Sequence, residues 1–206
     1  MEMMGRLSTV LAGGLALCAM AATAQAAPEV GKPAPAFSGR DAGGNMVKLS
    51  DYAGKTVVLE WTNHECPFVK KHYDSGNMQS LQKDLTGKGA VWLTVISSAP
   101  GKQGHLSATE ANALTTSRGA APSDVILDED GRIGMAYGAT ATPQMVVITP
   151  TQTVAYMGAI DSIPSAKATD IPKADNYVRA AFDAVAAGKP VQVAQTKAYG
   201  CSVKYQ

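Results

Sequence analysis

Cysteine is scarce in this chain. Three occur in 206 residues, with no Cys-x-x-Cys pair and no Cys/His array at zinc-finger spacing, which excludes a disulfide-dense scaffold and a structural zinc fold. Charge of either sign is also in short supply. Eighteen basic residues oppose seventeen acidic ones for a formal net charge of +1, so the electrostatic footprint of a nucleic-acid binder or a polybasic membrane-surface protein is missing. No apolar run reaches the roughly 20 residues that cross a bilayer. Partners are therefore expected to be small or neutral, and no cofactor or metal is read from the residues. What the chain does have is a 46% hydrophobic content over a length suited to one compact domain.

The first segment reads as an address. Arg6 precedes an uncharged stretch of apolar and small residues from Leu7 to Ala22, and Ala24-Gln25-Ala26 follows as a small-x-small cleavage signal. Residues 1–26 are expected to be a secretory signal peptide, making the protein secreted or periplasmic, with no membrane association after cleavage. A membrane anchor is disfavoured by the short apolar run. Lipid attachment at Cys18 is disfavoured by Leu17, where such boxes need a small side chain. Cleavage would leave 180 residues holding only Cys66 and Cys201, in a disulfide-permissive setting.

The remainder is expected to be one domain over 27–190 and a tail over 191–206 that carries Cys201. Phe37 to Leu49 reads as a hairpin around Asp41-Ala42-Gly43-Gly44-Asn45. Thr56 to Trp61 and Val91 to Ile96 are continuous apolar and β-branched runs, the form of strands buried on both faces. Between them a helical stretch breaks near Gly76 and places Met78, Leu81 and Leu85 on one stripe, so the segment is a βαβ unit. Ser107-Ala108-Thr109-Glu110 has capping-box spacing for a helix to about Arg118. Met145–Ile148 and Val154–Met157 flank a turn and make the sheet mixed. Asp175 is expected to cap a last helix presenting Val178, Ala181, Phe182 and Val185. Lys70 and Lys71 read as a solvated helix face, and the five methionines after residue 26 as mostly core filling.

Cys66 lies where a buried strand hands over to a helix, with Pro67 in the position helices accept at their first turn. The helix dipole there favours a thiolate, the attacking form of a group that is otherwise mostly protonated at neutral pH. Cys66 is the candidate nucleophile; the alternative is a buried or bridged cysteine without turnover.

The order of hairpin, buried strand, cysteine at a helix start, second strand, Thr142-Pro143 before a strand, hairpin and terminal helix resembles the thioredoxin-like superfamily. Ala34-Pro35-Ala36-Phe37, Leu49 to Lys55 and Thr56 to Trp61 resemble its redoxin branch, related to the alkyl hydroperoxide reductases and the thiol-specific antioxidant proteins. The likeness covers about residues 28–190. It implies an α/β, thioredoxin-like fold: a central mixed sheet flanked by helices, with an N-terminal β-hairpin and a C-terminal tail extension. Cys66 matches the attacking cysteine of the Cys-x-x-Cys motif, and Val69 stands where the resolving one would be. The peroxiredoxin signature is broken as well. It wants proline seven residues and threonine or serine three residues before its cysteine, and this chain has Leu59 and Asn63. Thr62 is one residue off, which along an extended segment turns a side chain to the opposite face. Arg118, Arg132 and Arg179 are the candidates for an arginine that polarises a peroxide.

The resemblance also implies roles for other residues. Glu60, six before Cys66, stands where a buried acid relays protons, and burial would raise its pKa; otherwise it faces an edge or pairs with a lysine. Thr142-Pro143 matches the pair whose cis proline faces the cysteine and whose backbone binds an extended substrate. Thr62, Asn63 and Pro67 flank the nucleophile as further expected substrate contacts. Cys201 is the expected resolving or disulfide partner. A Cys66–Cys201 bond would close a loop of more than 130 residues, for which chain entropy allows roughly 4 to 5 kcal/mol.

The function so implied is exported thiol/disulfide exchange on protein or small-molecule disulfides, or on peroxides, supplied by a thiol reductant. A peroxiredoxin-like thiol peroxidase and a binding module with an inert bridge are the alternatives. A copper site from Cys66, His64, His72 and Met78 has the right ligand softness but unpersuasive spacing.

Overall fold

The computed structural model describes Met1 and residues 28–206; the remainder of the expected signal peptide, with Cys18, lies outside the described residues. Strands β1 (Ser38–Asp41) and β2 (Met46–Lys48) form the hairpin read from the Gly-Gly-Asn turn. β3 (Val57–Trp61) is followed by α1 (Pro67–Asp74), α2 (Asn77–Gly87) and β4 (Val91–Ile96). The helical stretch splits at Gly76, whose φ of +75° is the left-handed conformation that a residue without a Cβ adopts freely. Next come α3 (Ala108–Ser117), β5 (Asp124–Leu127), α4 (Arg132–Ala136), β6 (Ala141–Thr142), β7 (Gln144–Ile148), β8 (Val154–Gly158), α5 (Tyr177–Ala186) and β9 (Cys201–Ser202).

Seven strands make one mixed sheet in the order β2-β1-β5-β4-β3-β7-β8. The three central strands β5, β4 and β3 run parallel, and antiparallel pairs extend the sheet on both sides. β3, β4 and β7 are buried along their whole length, the reason they read as unbroken apolar runs. One face carries Val58, Trp92, Met145, Val147 and Tyr156 against α1, α2 and α5. The other carries Val57, Leu59, Trp61, Leu93 and Val146 against Ile133 and Tyr137. Cys66 belongs to the first layer.

Three details differ from expectation. The last helix is capped by Asn176, whose side chain accepts from Arg179 N at 2.9 Å, and not by Asp175. Met46 and Met135 are exposed, leaving Met78 and Met145 as the fully buried methionines among the described residues. Lys71 is only 4% exposed, so α1 has a charged residue on its buried side while Lys70 alone is solvated.

The tail folds back over the domain. It runs beside β8, where Met157 N donates to Ala194 O at 3.1 Å and Thr196 N to Met157 O at 3.1 Å. β9 then pairs antiparallel with β6, Cys201 opposite Thr142. Farther on, Ala99 N donates to Lys204 O at 2.9 Å and Tyr205 Oη to Ala139 O at 2.7 Å. A Cβ on Gly131 or Gly134 would overlap the Tyr205 ring, so these glycines form its seat.

Candidate active site

The site is built on the loop between β3 and α1. Cys66 is the N-cap of α1: its carbonyl accepts the first helical bond from Lys70 N at 2.9 Å, and Pro67 follows at N1, exposed to solvent. Cys66 Sγ donates to Thr142 O at 3.1 Å and is 0% exposed. Burial pushes this thiol up. The adjacent Cys201 thiol, the Val69 N–H in the first turn of α1, the Cys201 N–H and Thr142 pull it the other way, and the net pKa lies below the ordinary cysteine value. The Cys201 thiol leads the lowering, and the first turn of α1 adds to it through the Val69 N–H.

Cys201 faces it from β9. Both cysteines are free thiols. The Thr142-Pro143 peptide is cis, Thr142 Oγ1 donates to Cys201 O at 3.4 Å, and Thr142 O receives Cys66. The Cys201 pKa is pushed up to about 11 by burial, then by its hydrogen bond to Cys66 and the Cys66 charge, with Lys204 acting in the opposite sense. The structure thus brings Cys66, Cys201, Thr142 and Pro143 together.

Glu60 lies in the same layer, fully buried, and neither reaches an edge nor pairs with a lysine. Its Oε1 accepts from Tyr73 Oη at 2.8 Å; its Oε2 accepts from Trp92 Nε1 at 2.9 Å, Gln82 Nε2 at 3.2 Å and Thr94 Oγ1 at 3.2 Å. Burial raises its pKa against the lowering effect of these donors. The network ties β3 to β4, α1 and α2, and so braces the helix that begins at Cys66.

Thr62, Asn63 and the histidines have other surroundings. Asn63 Nδ2 donates to Gln103 O at 3.3 Å, and its Oδ1 accepts from Glu65 N at 3.0 Å. Thr62 Oγ1 is buried without a partner among the described residues and lines a cavity of about 20 Å³ with Tyr73, Thr94 and Arg118. Among the three candidate arginines Arg118 contacts this loop, donating to His64 O at 3.2 Å with its guanidinium 4.6 Å from the Tyr73 ring centroid. Arg132 pairs with Asp130 and Arg179 with Asp84. Met78 is core, and His72 is buried with its Nδ1 2.8 Å from Asn77 Nδ2. A larger groove, about 970 Å³, lies between β1 and α4 and includes neither cysteine.

Sequence reasoning missed Tyr199, Asp161 and Lys71. Lys71 Nζ sits 3.2 Å from Asp161 Oδ2, with the lysine side chain 0% and the aspartate side chain 4% exposed, and Tyr199 Oη donates to Asp161 Oδ1. The cluster's signal in the sequence is Asp161 three residues past β8, which periodicity does not connect to a lysine 90 residues earlier.

Comparison with known proteins agrees with this architecture. A hypothetical protein from Sinorhizobium meliloti superimposes with a TM-score of 0.73 at 23% identity, covering 88% of this chain and 97% of its own. An uncharacterised conserved protein from Geobacillus kaustophilus gives 0.72 at 27% identity, covering 86% and 93%. A Chlorobium tepidum protein provisionally named a thiol:disulfide interchange protein gives 0.51 at 23% identity, covering 64% and 85%. No curated protein matches the chain. The model of the AhpC/TSA family matches residues 30–157, a span that includes Glu60, Cys66 and Thr142-Pro143 and stops before the tail. The chain therefore belongs to the AhpC/TSA family, the redoxin branch of the thioredoxin-like oxidoreductases.

Proposed function

We propose that the protein is an exported thiol/disulfide oxidoreductase in which Cys66 attacks and Cys201 resolves. The observation that carries this reading is the β6–β9 pairing, which sets Cys201 opposite Thr142, the residue whose carbonyl accepts the Cys66 thiol. The Cys66 thiolate attacks one sulfur of a substrate disulfide, forms a mixed disulfide and expels the other sulfur as a thiolate. Cys201, once deprotonated, attacks Cys66 Sγ, expels the second substrate thiolate and leaves a Cys66–Cys201 disulfide. Two electrons have then passed to the substrate, and an external thiol reductant restores both cysteines.

The order of these steps follows from electrostatics. On top of burial, two influences from Cys66, its hydrogen bond and its charge, hold the Cys201 pKa up. Both influences disappear when Cys66 is capped by substrate, while Lys204 remains, so the resolving thiol becomes easier to ionise at the moment it is needed. Glu60, a buried carboxyl whose pKa burial raises, is the group in this layer suited to hold a proton above the ordinary glutamate range. Because Cys66 is fully covered, substrate reaches it only when the tail shifts. Export rests on the leader in the sequence, and the oxidising setting it implies suits a two-cysteine cycle.

Peroxide reduction by the same sulfurs is a second reading, favoured by the AhpC/TSA match. It is opposed by Leu59 and Asn63 at the signature positions and by the commitment of the Asn63 side chain to neighbouring loops.

The test is trapping. Pre-reduced protein with residues 1–26 removed, given one equivalent of an aromatic disulfide, should release two aromatic thiols and end as an intramolecular disulfide. The Cys201→Ser variant should release one and retain the other on Cys66. An adduct mapped to another residue would overturn the assignment of the nucleophile, and two unreacted thiols would overturn the exchange reading itself. Peroxide consumption with dithiothreitol in place of the disulfide decides the second reading.

A further inference from the structure

We infer that Tyr199 is the positioning residue that sets Cys201 against Cys66, acting through the buried Lys71–Asp161 pair on the helix that begins at Cys66. The inference rests on Cys201 being the resolving thiol. The family match ends at residue 157, before both Asp161 and Tyr199.

Both sulfurs are referenced to α1. Cys66 is its N-cap. Lys71, farther along α1, turns inward, donating to Asp161 Oδ2 at 3.2 Å and to Ile163 O at 3.3 Å. The other carboxylate oxygen accepts from Tyr199 Oη, and Tyr199 stands two residues before Cys201. The Tyr199 ring meets Phe68, also on α1, edge to face with centroids 5.8 Å apart, and lies 5.7 Å from Lys71 Nζ. A short rigid helix on one side and a two-residue connection turned at Gly200, packed against the Thr142 carbonyl, on the other leave little freedom for the gap between the sulfurs.

The charges explain why the contact is specific. Burying a lysine and an aspartate is unfavourable unless their remaining hydrogen-bonding capacity is met, and such pairs are better at fixing geometry than at adding stability. His72 Nε2 is 3.7 Å from Asp161 Oδ2, but burial, reinforced by the Lys71 charge and opposed by Asp161, pushes its pKa down to about 4. It is neutral at physiological pH, so Lys71 alone balances Asp161. Ile163 N shares Asp161 Oδ1 at 3.2 Å, and the tail's own contribution to the cluster is the tyrosine hydroxyl.

The variant Tyr199→Phe removes that hydroxyl and keeps the ring against Phe68 and Lys71, with the ion pair intact. Its effect is read as the effective concentration of the two thiols, from equilibration of the full domain with glutathione redox buffers. A hydrogen bond to a buried carboxylate accounts for about a tenfold fall. In a Cys201→Ser background Tyr199→Phe should leave Cys66 alkylation by iodoacetamide no slower, and faster to the extent that the untethered tail uncovers the thiol. An effective concentration unchanged by Tyr199→Phe, or one that falls only with an equal fall in alkylation rate, overturns the positioning role. If the parent protein forms no Cys66–Cys201 bond in any buffer, the resolving role of Cys201 fails, and this inference with it.

Discussion

Replacing Gly200 by alanine is expected to slow closure of the Cys66–Cys201 disulfide by about 100-fold while the reduced protein stays folded, because a displacement of about 1 Å between reacting groups is enough for such a loss. Gly200 has a φ of +135°, a conformation that L side chains rarely adopt, and a Cβ there would overlap the Thr142 carbonyl. That carbonyl is the acceptor for the Cys66 thiol. The alanine therefore lifts the tail at the point where the two sulfurs meet. The main hydrophobic clusters are built almost wholly from residues before the tail, so thermal unfolding of the reduced variant should change little. Oxidising the reduced protein with diamide and quenching with N-ethylmaleimide at intervals measures the closure rate. Parent-like closure in Gly200→Ala would mean that the observed β6–β9 register is not the reactive one.

Glu60→Ala is expected to destabilise the protein by about 3 to 5 kcal/mol. The lost carboxyl leaves four donors: Gln82 Nε2 still donates to Tyr73 Oη at 3.2 Å, while the Tyr73 hydroxyl and Trp92 Nε1 lose their acceptor. One or two stranded buried donors at about 1–3 kcal/mol each, with the cavity left by the side chain, make up the loss. The subtler Glu60→Gln changes the pH dependence. Burial raises the Glu60 pKa in the folded chain, so the native state keeps a proton that the unfolded state has released. Stability then falls as pH rises from the ordinary glutamate range through the raised native pKa. His72, depressed to about 4, works in the opposite sense between that value and the ordinary histidine range, since its unfolded form binds the extra proton. The difference between the parent and Glu60→Gln in urea-midpoint profiles isolates the carboxyl. Superimposable slopes would place its titration outside the folding equilibrium.

The sequence makes the domain legible wherever local signals carry the physics. Buried central strands announce themselves as apolar runs, Gly76 marks the break between α1 and α2, and Ser107 with Glu110 marks a helix start, since both its capping contacts are formed. Cys66 can be found because a strand, a cysteine and an N1 proline are consecutive. Asn176 is ambiguous with Asp175, since neighbouring Asx residues cap equally well and the chain direction into the helix decides. Lys71 escapes notice because a lysine beside a lysine looks like a wet helix face, and only its distant partner Asp161 makes burial tolerable. The tail is the least legible part. It has no periodicity, and its course is set by single long-range contacts: Thr196 with Tyr156, Tyr199 with Asp161, Gly200 with Thr142, and Tyr205 with Ala139.

The central claim is that Cys66 and Cys201 form one reactive pair within a single chain. Peptide mapping by mass spectrometry, on protein oxidised with one equivalent of diamide at low concentration and digested without reductant, addresses it directly. The account predicts a monomer lighter by two hydrogen atoms, with the peptides containing Cys66 and Cys201 linked, and full return to two thiols under mild dithiothreitol. Disulfide-linked dimers, or a Cys66 that stays unmodified while Cys201 pairs elsewhere, would contradict it.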